Sequence, residues 1–382
     1  MPYFFVAWIM KHLITCESAL QWHPDKICDQ LADCILDACL KQDPLSRVAC
    51  EMLITDKNLI VAGEITTKAK INIEKILRKK ITDIWYDSDE KCFNGKTCKI
   101  TNLIHQQSPD IAVGVNTWGA GDQWIMYWYA TSETPEYLSL PFVLANNLSK
   151  RLVELRHKKK LPLLYPDGKT QVTMEYHDKK QMRVHAVVVS AQHKKNANQK
   201  KLHEAIIQNV IRPVLGKRMD KKTEIFINPT GVFAIWWPKA DTWLTWRKNI
   251  MDTYGGRAKH GGGSYSGKDC TKVDRSASYM ARYLAKHVVA SGLAKECEIQ
   301  LSYVIGVKDP VSVDIDCFGT EKISLSKILA FIIKHFDLTP QGMIKKLGLR
   351  KPIFEKTALY GHFSDSNYPR EKLSDISLFK KL

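Results

Sequence analysis

The chain has 382 residues, 45% hydrophobic and 25% charged, with a formal charge of +17 at pH 7. That length predicts two or three domains or one fold with internal repeats, and the composition excludes a disordered or fibrous chain. The positive balance points to anionic partners, but it is mostly lysine, and its densest runs (156–160 and 217–222) contain no aromatics, so a solvated surface is expected and not a nucleic-acid face.

The opening "MPYFFVAWIMK" is apolar but short, with no basic residue ahead of it and no small-residue cleavage site. Neither it nor any later stretch reaches the eighteen or so apolar residues of a membrane span, so none is expected. "HPDKICDQLADCILDACLKQ" (23–42) places Ile27, Leu31, Ile35 and Ala38 at helical spacing, with Pro24 suited to a first turn. Read alone, "HPDK" is either a capping turn or an anion site whose Asp25 could hold a hard cation. Residues 46–67 read as two β-rich segments joined by a turn at 56–58, and 71–84 as a helix. A polar stretch (87–98) and a Gly/Pro/Asp-rich loop region (106–123) follow. "YPDGKTQVT" (165–173) read alone is a hairpin turn. "QVTMEY" and "MRVHAVVVSAQH" are strands, and 197–211 is a helix. Strands near 224–235 and 299–307 and a helix over 274–292 repeat the alternation. The reading is an α+β fold of three similar units. The ten cysteines include no C-x-x-C pair and no zinc spacing, which predicts reduced thiols in a cytoplasmic protein.

"GGRAKHGGGSYSGKDCTKVDRS" (255–276) is the stretch richest in chemistry. Its glycines let the backbone approach a ligand, and Lys268, Lys272 and Asp274 supply two phosphate donors and a carboxylate for a metal. Gly262, Gly267 and Lys268 satisfy most of a P-loop, but Asp269 stands where the metal-binding Ser or Thr belongs, so that reading is rejected.

"ESALQWHPDKICDQLADCILD", "GEITT", "QQSPDI", "GAGDQ", "PDGKTQVT", "INPTGVF", "DTYGG", "HGGGSYSGKDCTKVDRSASYMARYLAK" and "YGHF" follow one another as in S-adenosylmethionine synthetase (methionine adenosyltransferase), which the chain resembles from about Met10 to about residue 372. The resemblance implies an α+β subunit of three similar sheet-and-helix domains with approximate internal threefold symmetry. Its expected bounds are 10–111 (N-terminal), 122–235 (central) and 236–382 (C-terminal), with a shortened gating loop at 112–121 and a possible non-native extension at 1–9. It implies a homodimer or homotetramer with sites between subunits, ATP and L-methionine as substrates, and Mg²⁺ and K⁺ as cofactors, with no nucleic-acid or membrane partner. The methionine sulfur would attack C5′ of ATP, and the released triphosphate would be hydrolysed to phosphate and diphosphate. By motif, His23 would meet the leaving triphosphate. Asp25 and Asp274 would hold Mg²⁺, and Glu51 in "VACEM" would hold K⁺. Lys169, Arg247, Lys248, Lys268 and Lys272 would gather the triphosphate oxygens. Phe233 would stack on adenine, while Glu64, Gln107, Asp122, Asp241 and Lys272 would serve methionine, Asp241 also contacting the nucleotide.

One departure stands out. Trp22, Trp85, Trp124, Trp128, Trp236, Trp237, Trp243 and Trp246 occupy places where the family tends to have glycine. Indoles there should fill ligand space or break positive-φ turns. Glycine, at 20, is also scarce for this length, and eight more would bring it to the usual share. Two expectations follow: either UGA codons meaning glycine have been read as tryptophan, or the chain is an inactive or regulatory nucleotide-binding homologue.

Overall fold

The computed structural model describes residues 11–84, 86–88, 93–107, 119–178, 180–233 and 242–382. The strands are β1 (Lys11–Ala19), β2 (Arg47–Thr55), β3 (Asn58–Thr66), β4 (Asp87–Ser88), β5 (Phe93–Asn94), β6 (Lys99–His105), β7 (Trp124–Thr131), β8 (Leu164–His177), β9 (Lys180–His193), β10 (Glu224–Ile227), β11 (Trp243–Leu244), β12 (Glu296–Tyr303) and β13 (Ser312–Asp316). The helices are α1 (Pro24–Gln42), α2 (Ile73–Asp83), α3 (Leu140–His157), α4 (Gln199–Ile206), α5 (Arg212–Leu215), α6 (Asn249–Asp252), α7 (Val273–Ala290), α8 (Leu325–His335), α9 (Pro340–Leu347) and α10 (Ile376–Phe379).

The described residues form two compact units, one of 11–20, 140–233 and 255–257, the other of 21–139, 242–254 and 258–382. In the first, one sheet has the order β1-β8-β9-β10, and α3 packs on β1 and β8. In the second, a sheet of order β11-β2-β3-β6 carries α1, and a sheet of order β13-β12-β7 carries α7.

The three sheets share one plan. Each sets an edge strand and a long helix against an antiparallel hairpin: β1 and α3 with β8/β9, β11 and α1 with β2/β3, and β7 and α7 with β12/β13; in the first and third the edge strand precedes the helix in the chain, whereas β11 comes from far downstream. In the first two the hairpin continues through a shorter helix into a parallel strand, β10 beside β9 and β6 beside β3. A parallel neighbour needs a crossover of this kind because a tight turn cannot reverse the chain twice. The α+β fold with three sheet-and-helix layers is thus the architecture expected from the sequence.

Local chemistry explains most element boundaries. His23 caps α1 by accepting the Asp25 N–H at 3.3 Å, and Pro24 occupies the first turn. The β2/β3 hairpin turns at Asp56, whose φ of +48° is tolerated by a short polar side chain. Ile27, Leu31 and Ile35 are fully buried, as their spacing predicts, and α7 is buried on all sides through residue 289.

Two expectations change. Residues 165–173 are not a hairpin turn but part of β8, which runs straight through the glycine with a register shift between Leu164 and Gly168. Gly168 allows this because a Cβ there would lie 2.5 Å from the Ser190 carbonyl of β9. The helix expected over 197–211 is α4, followed by a π-helical turn (Ile207–Ile211) that leads into α5.

Candidate active site

Helix α1 presents Asp25, Asp29 and Asp33 four residues apart, hence on one face, and all three are buried. Each receives a backbone N–H from a distant loop: Leu244 to Asp25 (3.1 Å), Trp246 to Asp29 (2.7 Å) and Gly267 to Asp33 (2.8 Å). Side chains complete the row. Lys248 pairs with Asp25, and the Arg247 guanidinium lies 3.9 Å from the same carboxylate. Lys26 bridges Asp29 (2.8 Å) and Asp252 (2.6 Å), and Arg275 grips Asp33 with two nitrogens (2.7 and 2.9 Å). Buried carboxylates need such partners, because desolvation alone would neutralise them.

The glycine-rich stretch reaches the same face. Residues 267–269 run beside β2, with Cys50 N–H to Gly267 O (3.0 Å) and Asp269 N–H to Val48 O (3.0 Å). Glycine is required at 267: its φ is +79° and a Cβ would fall 1.9 Å from the Cys50 carbonyl. Its N–H is spent on Asp33 and that of Gly262 on His260 Nδ1 (2.7 Å), so neither amide points at a ligand in this state. Lys268 pairs with Asp274 in the first turn of α7, and Lys272 with Asp269 at 2.7 Å. Burial pushes the Asp274 carboxyl above its usual range; Lys268 opposes the shift and the nearby Asp122 adds to it. Burial also pushes Asp269 up, but Lys272 and the Thr271 hydrogen bonds outweigh it and hold that carboxyl low.

The remaining expected residues of this unit lie on neighbouring elements. Glu51 sits on β2, opposite Ala62, and Glu64 on β3, opposite Ala49, so the two project from the same sheet face as diagonal neighbours. Glu51 is exposed along its strand, yet partial desolvation of its carboxyl raises the pKa, opposed by the nearby Lys268 ammonium and reinforced by Asp29. Glu64 lies 3.6 Å from His105 on β6, two residues before Gln107. Asp122 accepts the Trp124 indole N–H at 2.8 Å, and the Lys268 ammonium lies 6.0 Å from the Trp124 ring centroid. Lys169 and Phe233 belong to the other unit. Lys169 is exposed on β8 opposite Ala19 and Ser190, and the Phe233 backbone exchanges hydrogen bonds with His193 (3.0 and 3.1 Å). Asp241, Trp85, Trp236, Trp237, residues 1–9 and most of the expected gate (112–118) lie outside the described residues.

Asp25 and Asp274 offer the hard carboxylate oxygens that Mg²⁺ prefers, and each now carries a lysine ammonium, a monovalent cation at the same oxygens. Among the described residues no three His, Cys, Asp or Glu side chains converge. A Mg²⁺ ion here would therefore take single protein carboxylates and draw its other oxygens from phosphate and water, which is how this ion is usually held beside nucleotides.

The sequence reading missed Asp29, Asp33, Asp252, Asp269 and Arg275. The spacing of Asp25, Asp29 and Asp33 shows that they share a helix face, but a carboxylate stripe on a helix reads by itself as a solvated face, so burial was not signalled.

The tryptophans behave differently from one another. Trp246 has φ +61°, a left-handed conformation that is strained for a bulky side chain. Trp128 is fully buried, with its ring centroid 3.8 Å from Phe363 and 4.4 Å from Tyr254, closer than the roughly 4.5–7 Å of relaxed aromatic pairs. Trp243 packs edge-on to Tyr86 (6.1 Å) and Phe93 (6.0 Å) at ordinary distances, although its buried indole N–H, like those of Trp128 and Trp246, has no acceptor among the described residues.

No helix among the described residues is long and apolar enough to cross a membrane. Three family models match the chain: the S-adenosylmethionine synthetase N-terminal domain over residues 11–109, its central domain over 117–233 and its C-terminal domain over 235–372.

Proposed function

The chain belongs to the S-adenosylmethionine synthetase family, and we propose that it joins ATP to L-methionine by attack of the methionine sulfur on C5′, then hydrolyses the displaced triphosphate to phosphate and diphosphate. The observation that supports this most is the pair of carboxylate–lysine contacts, Asp25–Lys248 and Asp274–Lys268, with Glu51 in the field of Lys268. A row of ammonium groups neutralised only by buried carboxylates can be handed to a triphosphate. As Lys248, Lys268, Lys272 and Arg247 turn to phosphate oxygens, Asp25 and Asp274 are freed for Mg²⁺, which when bound offsets the charge that builds on the leaving group.

No protein nucleophile is needed, because the substrate's sulfur is one; the side chains orient it and stabilise the departing oxygen. His23 suits the second task. Its Nδ1 accepts the Asp25 N–H, so the ring N–H lies on Nε2 and can donate a hydrogen bond to the bridging oxygen as charge builds there and the C5′–O bond breaks. Lys169 would bind triphosphate and Phe233 would stack on adenine. Glu64, Gln107, Asp122, Asp241 and Lys272 would hold methionine and the nucleoside, and Glu51 would hold K⁺. The domain bounds 10–111, 122–235 and 236–382, a homodimeric or homotetrameric assembly and a cytoplasmic location belong to the same proposal. The assay is direct. Incubation with ATP, methionine, Mg²⁺ and K⁺ should yield S-adenosylmethionine with equal phosphate and diphosphate. ATP hydrolysis without the sulfonium product would sink the reading.

A second reading rests on Trp246 and Trp128. If both are genuine, the strain and crowding beside Arg247 and Tyr254 favour an inactive or regulatory nucleotide-binding homologue. If UGA encodes glycine in the source, both positions relax and the synthetase reading stands. Trp243, whose ring packs at ordinary distances, does not support recoding. Intact mass of the protein made by its own host separates the two, since each Trp-to-Gly exchange lowers the mass by about the weight of an indolylmethyl group.

A further inference from the structure

We propose that Asp29, Lys26 and Asp252 form a buried clamp of positioning residues that sets Arg247 and Lys248 for the triphosphate; this rests on the reading of the site given above. Arg247 and Lys248 carry the cationic heads, and within their own short segment the described contacts are few: Arg247 donates to the Thr242 carbonyl and the Asp252 N–H to the Lys248 carbonyl (2.9 Å). They lie between β11 and the four-residue helix α6, a stretch with too few internal hydrogen bonds to be rigid alone. Through residue 245 it is paired with β2 (Thr245 N–H to Met52 O, 3.1 Å; Met52 N–H to Thr245 Oγ1, 2.7 Å), and α1 anchors it at positions on both sides of the two cations. Leu244 N–H is held by Asp25, Trp246 N–H by Asp29 Oδ1 (2.7 Å), and Asp252, at the far end, by the Lys26 ammonium through both carboxylate oxygens (2.6 Å each). Lys26 closes the circuit at Asp29 Oδ2 (2.8 Å). Thus positions 246 and 252, on either side of the two cations, are tied to one turn of α1, the turn that also bears Asp25.

The chemistry of the three groups fits a clamp better than it fits a ligand site. Lys26, Asp29 and Asp252 are 2%, 0% and 1% exposed, so none can reach a substrate. One ammonium shared by two carboxylates in a dry setting has steep distance dependence, which makes the joint stiff. The contact to residue 246 is made through its backbone N–H, so it exists whether that residue is tryptophan or glycine. A clamp of this kind also explains why a left-handed φ is maintained directly before Arg247: the Asp29 carboxylate over-determines it.

The test compares the full-length parent with Asp252→Asn and Asp29→Asn, which keep shape and remove charge, and with Asp252→Glu, which restores a carboxylate. Arg282→Lys serves as a control for loss of a buried ion pair, Arg282–Glu371, that touches neither 242–252 nor the proposed triphosphate residues. Three readouts are taken: amide hydrogen exchange over 242–252, inorganic tripolyphosphate affinity by calorimetry, and kcat and KM in the synthesis assay, with melting temperature measured throughout. Asp252→Asn and Asp29→Asn should speed exchange at 246–248 at least tenfold and weaken tripolyphosphate about tenfold. They should also raise the KM for ATP while leaving that for methionine within about twofold, and Asp252→Glu should recover part of each loss. Arg282→Lys should lower the melting temperature without altering tripolyphosphate affinity of the folded protein. Unchanged exchange at 246–248 in both asparagine variants would overturn the clamp. Loosened exchange with parental affinity and kinetics would overturn its role in the reaction. A parent that makes no S-adenosylmethionine would instead overturn the reading of the site, and the exchange data would still judge the clamp.

Discussion

Trp246 combines a φ of +61° with a buried indole N–H that has no acceptor among the described residues. Each feature carries a cost of about 1–3 kcal/mol. The ring recovers part of this by packing on Tyr265 at 4.5 Å between centroids, but it is only half-buried. Trp246→Gly should therefore stabilise the protein by roughly 1 kcal/mol in urea melts, since glycine adopts this φ freely. Trp243 predicts the opposite. It is 1% exposed and lies edge-on to two aromatic rings, so Trp243→Gly should cost about 3–5 kcal/mol if tryptophan is the native residue. A destabilised Trp246→Gly, or a neutral Trp243→Gly, would show that strain and packing at these positions are not what sets their stability.

Helix α1 is the element on which the second unit is organised. Its aspartates receive three distant segments from one side, and a fourth, Asp37, holds the start of the helical turn at Glu355–Ala358 by accepting the N–H groups of Phe354 (3.0 Å) and Glu355 (2.9 Å). Burial pushes the Asp37 carboxyl up to about 7, against the pull of those two donors. An acid whose folded pKa lies above its unfolded value of about 4 contributes stability that is complete at low pH and is lost as pH rises through the folded pKa. Between about pH 4 and 7 the parent should thus lose on the order of 1–3 kcal/mol relative to Asp37→Asn, after allowance for the side chain's partial exposure. Thermal melts of both proteins at pH 5 and pH 8 measure this. A gap between parent and variant that stays constant across the two pH values would show that Asp37 does not titrate in the window.

At the scale of the whole molecule, the proposed site draws on cations from two loops, Lys248 beside Asp25 and Lys268 beside Asp274. If Lys248 of one protomer and Lys268 of its partner line one site, Lys248→Met and Lys268→Met are each inactive alone yet complement each other in mixed assemblies. Random re-association of such a pair should restore about a quarter of parental activity, because half the dimers are mixed and each mixed dimer regains one of two sites. No recovery after verified subunit exchange would assign both lysines to a single protomer's site.

Much of this was legible along the chain because it depends on near neighbours. Pro24 after His23, the apolar spacing of 27, 31 and 35, the turn at Asp56 and the strand–helix alternation are decided within a few residues, and the ordered motifs carried the family. Tertiary structure decided the rest, since it depends on what burial brings together. "PDGKTQVT" contains a turn-like Pro-Asp-Gly yet runs through β8, because pairing with β1 on one side and β9 on the other outweighs local turn preference. Asp29, Asp33 and Asp252 look like surface charges in the sequence. Only the folded chain supplies the Trp246 and Gly267 amides, Lys26 and Arg275 that make a buried carboxylate tolerable, and those partners lie more than two hundred residues away for all but Lys26.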